Sequence, residues 1–355
     1  MIKNCIHIIC FIIIFTDVTW SQDPNFSQFY NCPTYYNPAM NAIGNGITLR
    51  GNSRLLWTPI PGSFNTYTAA LEAEAINKTS LGVLAVSDVA GEAYLHTNGV
   101  YALYTYRPLE TRNNLLQFGV SGGVMNKNID KTKFVFSDQL DEVYGKTKPT
   151  AYTINNSSVV YPDFSAGTVY RHSGSNNRKH IKHMETIGVG FHHLTRPKDA
   201  FISDNGRLPE KIVFHGNIQL LANNKVFSPS FIFEKQGDIQ YLFKKQSGFQ
   251  TFTIGVELIN SPLTFGIWYR NKSFSSKIKQ YDSFIISTGL NIKTKGRSHC
   301  RINYSFDFTV SRLKTASYGS HEISLVIDLN GQILFRASQI KGSKARTHQC
   351  PTDLL

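Results

Sequence analysis

From about residue 47 to 330 the chain alternates between apolar and polar side chains with a period of two, and no segment sustains a 3.6-residue period. Successive side chains of a strand point to opposite faces, so the pattern describes strands with two chemically different sides and no long helix. Between Cys300 and Val310, one side carries Ile302, Tyr304, Phe306, Phe308 and Val310, and the other Arg301, Asn303, Ser305, Asp307 and Thr309. Phe252, Ile254, Val256 and Leu258 oppose Thr251, Thr253, Gly255 and Glu257 in the same way. Ile47, Leu49, Leu55 and Trp57 oppose Thr48, Arg50, Asn52 and Arg54.

Such runs number 14, near 47–57, 64–75, 79–87, 98–108, 114–125, 161–171, 185–194, 211–222, 227–234, 248–258, 262–271, 282–292, 299–310 and 321–330. Residues 236–247 read as an extension of one long hairpin loop, with a fifteenth strand as the alternative. An even count and lengths near the ~9–11 residues of a tilted membrane strand match a transmembrane barrel. Alternation alone would also suit a pair of soluble sandwiches with the apolar side turned inward. Strand length, aromatics on the apolar sides, and glycine, hydroxyls and both signs of charge on the polar sides favour an all-β, closed antiparallel transmembrane β-barrel. Connections are short at Ser261-Pro262 and long at 126–160 and 195–210, as periplasmic turns and external loops should be. The 172–183 connection is the exception, long where a short turn belongs. Aromatics at 12% and charges at 17% exclude disorder. After residue 21, no apolar run approaches the ~18–20 residues of a spanning helix.

Residues 1–21 have the layout of a secretory signal: Lys3, an apolar stretch from Cys5 to Phe15, and small residues at Thr19 and Ser21 before Gln22. A lipoprotein signal would need a small residue before Cys10, where Ile9 stands. The expected order is signal 1–21, a periplasmic amino-terminal segment 22–46, the barrel 47–330, and a basic periplasmic tail 331–355. Removing the signal leaves Cys32, Cys300 and Cys350, read as packing residues or free thiols.

Three motifs suggest chemistry, and none carries it far. Gly119-Val120-Ser121-Gly122-Gly123 matches the G-x-S-x-G string of a nucleophile elbow, which must end a strand and open a helix. Phe118, Val120 and Val124 continue the strand pattern instead, so Gly119, Ser121 and Gly123 read as small inward residues in a crowded lumen. His180 and His183 sit among Arg171, Arg178, Lys179 and Lys182, where a dication is repelled. His192 and His193 are adjacent in a strand and should face opposite ways. No metal, cofactor or catalytic residue is expected. The 37 basic residues outnumber 24 acidic ones, but they are dispersed and no recognition helix is visible, so anionic envelope polymers or acidic proteins are expected rather than nucleic acid.

The polar sides carry Arg50, Arg54, Glu72, Glu74, Arg270, Arg301, Asp307 and Glu322. First and last strands neighbour each other in a closed barrel. Arg50 and Arg54 are therefore placed to meet Glu322 on one side and Glu72 or Glu74 on the other, bracing and filling the lumen.

The stretches Gln22-Asp23-Pro24-Asn25-Phe26-Ser27-Gln28-Phe29-Tyr30, Asn37-Pro38-Ala39 and Arg54-Leu55-Leu56-Trp57 resemble the mature amino terminus of the PorP/SprF family. Pro162–Gly167 and Gly188–Pro197 are similar to its middle, and Tyr304–Asp307 with Gly319–Leu325 to its carboxy-terminal stretch. Lys344 to Pro351 resembles its basic tail. The last strand ends at Leu329-Asn330 without the usual aromatic. The resemblance implies a non-enzymatic outer-membrane barrel of type IX secretion and gliding motility. It implies as partners other type IX components, periplasmic proteins associated with peptidoglycan, and a secreted adhesin-type substrate. The competing expectation is a passive porin or transporter.

Overall fold

A computed structural model describes residues 23–329 except 45, 76–77, 93, 142, 153–156, 177–180, 202–205, 223–224, 238–248, 273–280, 294–297 and 311–317. Residues 1–21, expected to be a signal, and 331–355, expected to be a periplasmic tail, lie outside the described residues. Sixteen strands follow in chain order: β1 Ile47–Leu56, β2 Phe64–Glu74, β3 Thr79–Ala90, β4 Leu95–Glu110, β5 Asn114–Asn128, β6 Leu140–Asp141, β7 Gly145–Lys146 and β8 Ser158–Asn176. They continue as β9 Ile181–His192, β10 Lys211–Ala222, β11 Lys225–Gln236, β12 Phe249–Asn260, β13 Leu263–Asn271, β14 Tyr281–Lys293, β15 Ser298–Thr309 and β16 Ser320–Leu329. All but β6 and β7 close into one antiparallel barrel of 14 strands. The seam pairs β1 with β16 from Ile47↔Leu329 to Leu56↔Ser320. β6 and β7 form a separate small hairpin.

Burial runs opposite to that of a soluble fold. Glu322 is 1% exposed and its neighbour Ile323 55%. Along β15 the buried residues are Asn303, Ser305 and Asp307, while Ile302, Tyr304 and Phe308 face out. Polar side chains therefore line the interior, and Leu, Ile, Val, Phe and Tyr cover the wall. Such an exterior belongs in lipid, where only helices and closed barrels satisfy every backbone group. No helix of the described residues is long and apolar enough to cross a membrane.

The two ends differ. One has the connections 75–78, 111–113, 177–180, 223–224, 261–262 and 294–297, together with the start of β1 and the end of β16. The other has 57–63, 91–94, 129–157, 193–210, 237–248, 272–280 and 310–319. Short turns mark the periplasmic end of bacterial barrels and long loops the external one.

The expected strands are all present, and most run longer than their apolar stretches. β8 and β9 reach toward each other until only 177–180 separate them, so the suspected long connection at 172–183 is mostly strand. β1 stops at Leu56, and Trp57 takes a left-handed φ of 60°. Trp57 thus leaves the outward row assigned to it. It turns into the mouth of the barrel, where it lines a cavity. His193 leaves its strand by a similar break, φ 57°. That break brings His192 and His193 to the lumen together, instead of on opposite sides.

Candidate functional site: the occupied lumen

The segment before β1, expected outside the barrel on the periplasmic side, lies inside it. From Gly46 at the periplasmic end it climbs past every level of the wall to Asp23, which is bonded to Gln236 at the external end of β11. Its local form follows from its sequence. Pro33 opens a one-turn helix, Pro33–Tyr36, and Pro38 opens a 3-10 turn, Pro38–Met40, capped by the Asn37 side chain accepting from Ala39 N at 2.9 Å. Proline suits a first helical position because its missing N–H has no partner there. Phe26, Phe29, Cys32 and Tyr36 pack on Val213, Ile232, Trp268 and Ile285 of the wall. Tyr30 stacks on Trp268, with ring centroids 4.9 Å apart.

A segment this irregular leaves many backbone groups without partners of its own, and buried groups of that kind must be paired. The wall pairs them. Glu322 accepts from Ser27 N at 2.6 Å and Gln28 N at 3.0 Å. Gln117 donates to Ala39 O and Asn41 O, both at 2.8 Å. Arg270 donates to Phe26 O at 3.2 Å and Arg171 to Ile43 O at 3.4 Å. Arg54 donates to Asn25 O, and Arg107 to Ala42 O. His192 meets Tyr36 O at 2.8 Å.

Where the plug runs closest, the wall has no side chain at all. A Cβ on Gly119 would collide with Ala39 and Pro38, and one on Gly167 with Asn37. One on Gly190 would strike Tyr36 O, and one on Gly82 would strike Asn41. Only glycine permits that approach. The G-x-S-x-G string thus lies mid-strand in β5, where Gly119 makes room for the plug and no elbow forms.

The eight predicted charges are distributed among several bonds. Arg50 Nε meets Glu72 at 2.8 Å, as expected, and Glu72 also accepts from Ala42 N. Arg54 lies opposite Glu322 in register, yet its guanidinium pairs with Asp307 at 2.9 Å. Arg270 reaches the same Asp307 oxygen at 2.9 Å. Glu322 serves the plug amides instead of an arginine. Glu74 is bound by Arg107 at 3.4 Å. Arg301 lines a cavity of about 140 Å³ toward the periplasmic end, with Glu257 and Asp328. Arg107 was readable by period alone, since it alternates with outward Tyr104 and Tyr106.

A second charged group forms only where the plug tip meets the wall, so strand period does not reveal it. His193 Nε2 lies 2.9 Å from Asp23 and Nδ1 3.0 Å from Asp163. Tyr101 Oη donates to Asp163 at 2.8 Å. Lys211 joins Glu234 at 2.9 Å and Asp23 at 3.6 Å. Burial disfavours charge on Asp23, but the His193 imidazole and Lys211 ammonium beside it hold its carboxyl well below the usual carboxylate range. Burial also opposes a protonated His193, and Asp23 and Asp163 outweigh it, pushing the ring up to about 10. At neutral pH an imidazolium therefore bridges the plug tip to the wall.

A closed antiparallel barrel with an apolar exterior and a polar interior filled by its own chain defines an outer-membrane β-barrel protein. The family described as type IX secretion system membrane protein PorP/SprF matches residues 18–327, and the chain belongs to that family. Among curated proteins none matches. Solved structures of similar shape include a deltaS2S3 mutant of the monoaromatic hydrocarbon channel TodX, at 11% identity and a TM-score of 0.45, covering 84% of this chain and 93% of that one. The P. putida toluene transporter TodX is 9% identical with a TM-score of 0.39, over 82% and 90%. CdiB from Acinetobacter baumannii is 7% identical with a TM-score of 0.40, over 80% of this chain and 60% of that one.

Proposed function

We propose that this barrel is a non-enzymatic outer-membrane component of type IX secretion and gliding motility, helping a secreted adhesin-type protein reach or attach to the cell surface. One observation carries the reading. The lumen is occupied from end to end by the described residues 23–44 and 46, hydrogen-bonded at each level to the wall, so the barrel works as a sealed body presenting surfaces. Those surfaces are the external loops and the periplasmic turns. Other type IX components and peptidoglycan-associated proteins are the proposed contacts on the periplasmic side, and the adhesin the contact outside. Of the eight lumen charges, Arg54, Glu72, Arg270, Asp307 and Glu322 act in this reading by holding the plug.

The second reading, a passive porin, requires a path for solutes, and the plug argues against it. Planar-bilayer recording tests the two. The intact protein should be silent, and a variant lacking residues 24–44 should conduct. Steady conductance by the intact protein would overturn the sealed-body reading. In cells, loss of the protein should leave the adhesin unexported or unattached while other outer-membrane proteins are unaffected.

A further inference from the structure

At the external end a cavity of about 360 Å³ opens above the plug tip, within the range of small-molecule pockets. Its charges are largely matched. Lys127 meets Asp199 at 2.8 Å, Arg54 and Arg270 share Asp307, and His193 and Lys211 hold Asp23. Asp88 is different. This inward carboxylate on β3 lines the cavity and has a single hydrogen bond, from Thr66 Oγ1 at 2.6 Å, and no cation paired with it among the described residues. Beside it, two residues along β2 from Thr66, Phe64 packs edge-on against Trp57 with centroids 5.5 Å apart, and both rings line the same cavity. Below lie Leu84 and Val86. Trp57 is held in a left-handed backbone conformation that a bulky residue rarely adopts, and such outliers concentrate where a side chain must be aimed.

We propose that this cavity binds a small organic ammonium with an aromatic or alkyl body, the cation at Asp88 against the faces of Trp57 and Phe64, and the body on Leu84 and Val86. A carboxylate beside aromatic faces attracts cations by charge and by the ring quadrupole. The lumen already uses that attraction, with Lys211 Nζ 5.5 Å from the Tyr35 ring centre. Size favours a free molecule over a protein side chain. Asp199 and Leu208, from the connection after β9, also line the cavity.

The test titrates benzylammonium, benzyl alcohol and benzoate into the folded barrel in zwitterionic nanodiscs, following tryptophan emission. Benzylammonium should saturate, with benzyl alcohol at least tenfold weaker and benzoate silent. Asp88→Asn should weaken benzylammonium at least tenfold, and Trp57→Phe should remove the emission change. Equal response to benzoate and benzylammonium would overturn the proposal, and that comparison needs no variant. Unchanged binding by a folded Asp88→Asn protein would overturn it too. So would a lysine-containing peptide that binds where benzylammonium does not.

Discussion

Both carboxylate oxygens of Glu322 accept from plug amides, so this side chain anchors irregular backbone and does not pair with an arginine. Glu322→Gln keeps the shape but replaces one acceptor with a donor facing an N–H. A lost bond to a charged group together with an unsatisfied buried donor should cost about 1–3 kcal/mol. The expected signs are intermittent conductance from a loosened plug and normal barrel yield. Ile323→Lys should do the reverse and lower yield, since a lysine on the lipid face costs up to ~2–4 kcal/mol at mid-depth and less near an interface. The His193 bridge predicts a pH response with a definite sign. Its ring is raised from the ordinary 6.5 to about 10, so its stabilisation is complete below about 6.5 and is lost as pH rises through about 10. The difference in melting temperature between the native protein and His193→Gln should therefore shrink from pH 6 to pH 10.5. A difference that grows with pH would refute the assignment.

Among the elements, the strands were readable because their two sides meet opposite environments. Lipid demands apolar residues on one side, and the plugged lumen demands polar or small ones on the other. The plug was not readable in that way. Residues 22–46 have no period, and the conformation of 23–44 is imposed by groups far off in sequence, such as Glu322 for Ser27 and Gln117 for Ala39. The trace it left was indirect, in inward glycines such as Gly119 and Gly167, which record a close neighbour without naming it. Trp57 and His193 were misplaced for a related reason, since period continues past a strand end while the backbone does not. The glycines supply a test at this scale. Gly119→Leu puts a side chain where Ala39 and Pro38 lie, so the plug should be displaced and the barrel should conduct while remaining folded. The 129–157 loop, with its own small hairpin, should be separable, and deletion of 130–150 should spare the gel-mobility difference between boiled and unboiled protein.

At the scale of the whole molecule, wall and filling are one chain that crosses the barrel before making it. The chain lies at the external mouth at Asp23, descends through the centre, and begins β1 only at the periplasmic rim. A finished ring of 14 hydrogen-bonded strands offers no side door through which such a thread could later be inserted. The β1–β16 seam, which joins residues about 280 positions apart, is where a wall that closes around the thread would be stitched. A sheet that wraps around the thread as it closes avoids drawing the tip through the whole lumen from the periplasmic mouth. Any bulky passenger fused ahead of Asp23 would have to travel up the middle first, so a folded domain attached there should stall closure where the same domain in an external loop would not.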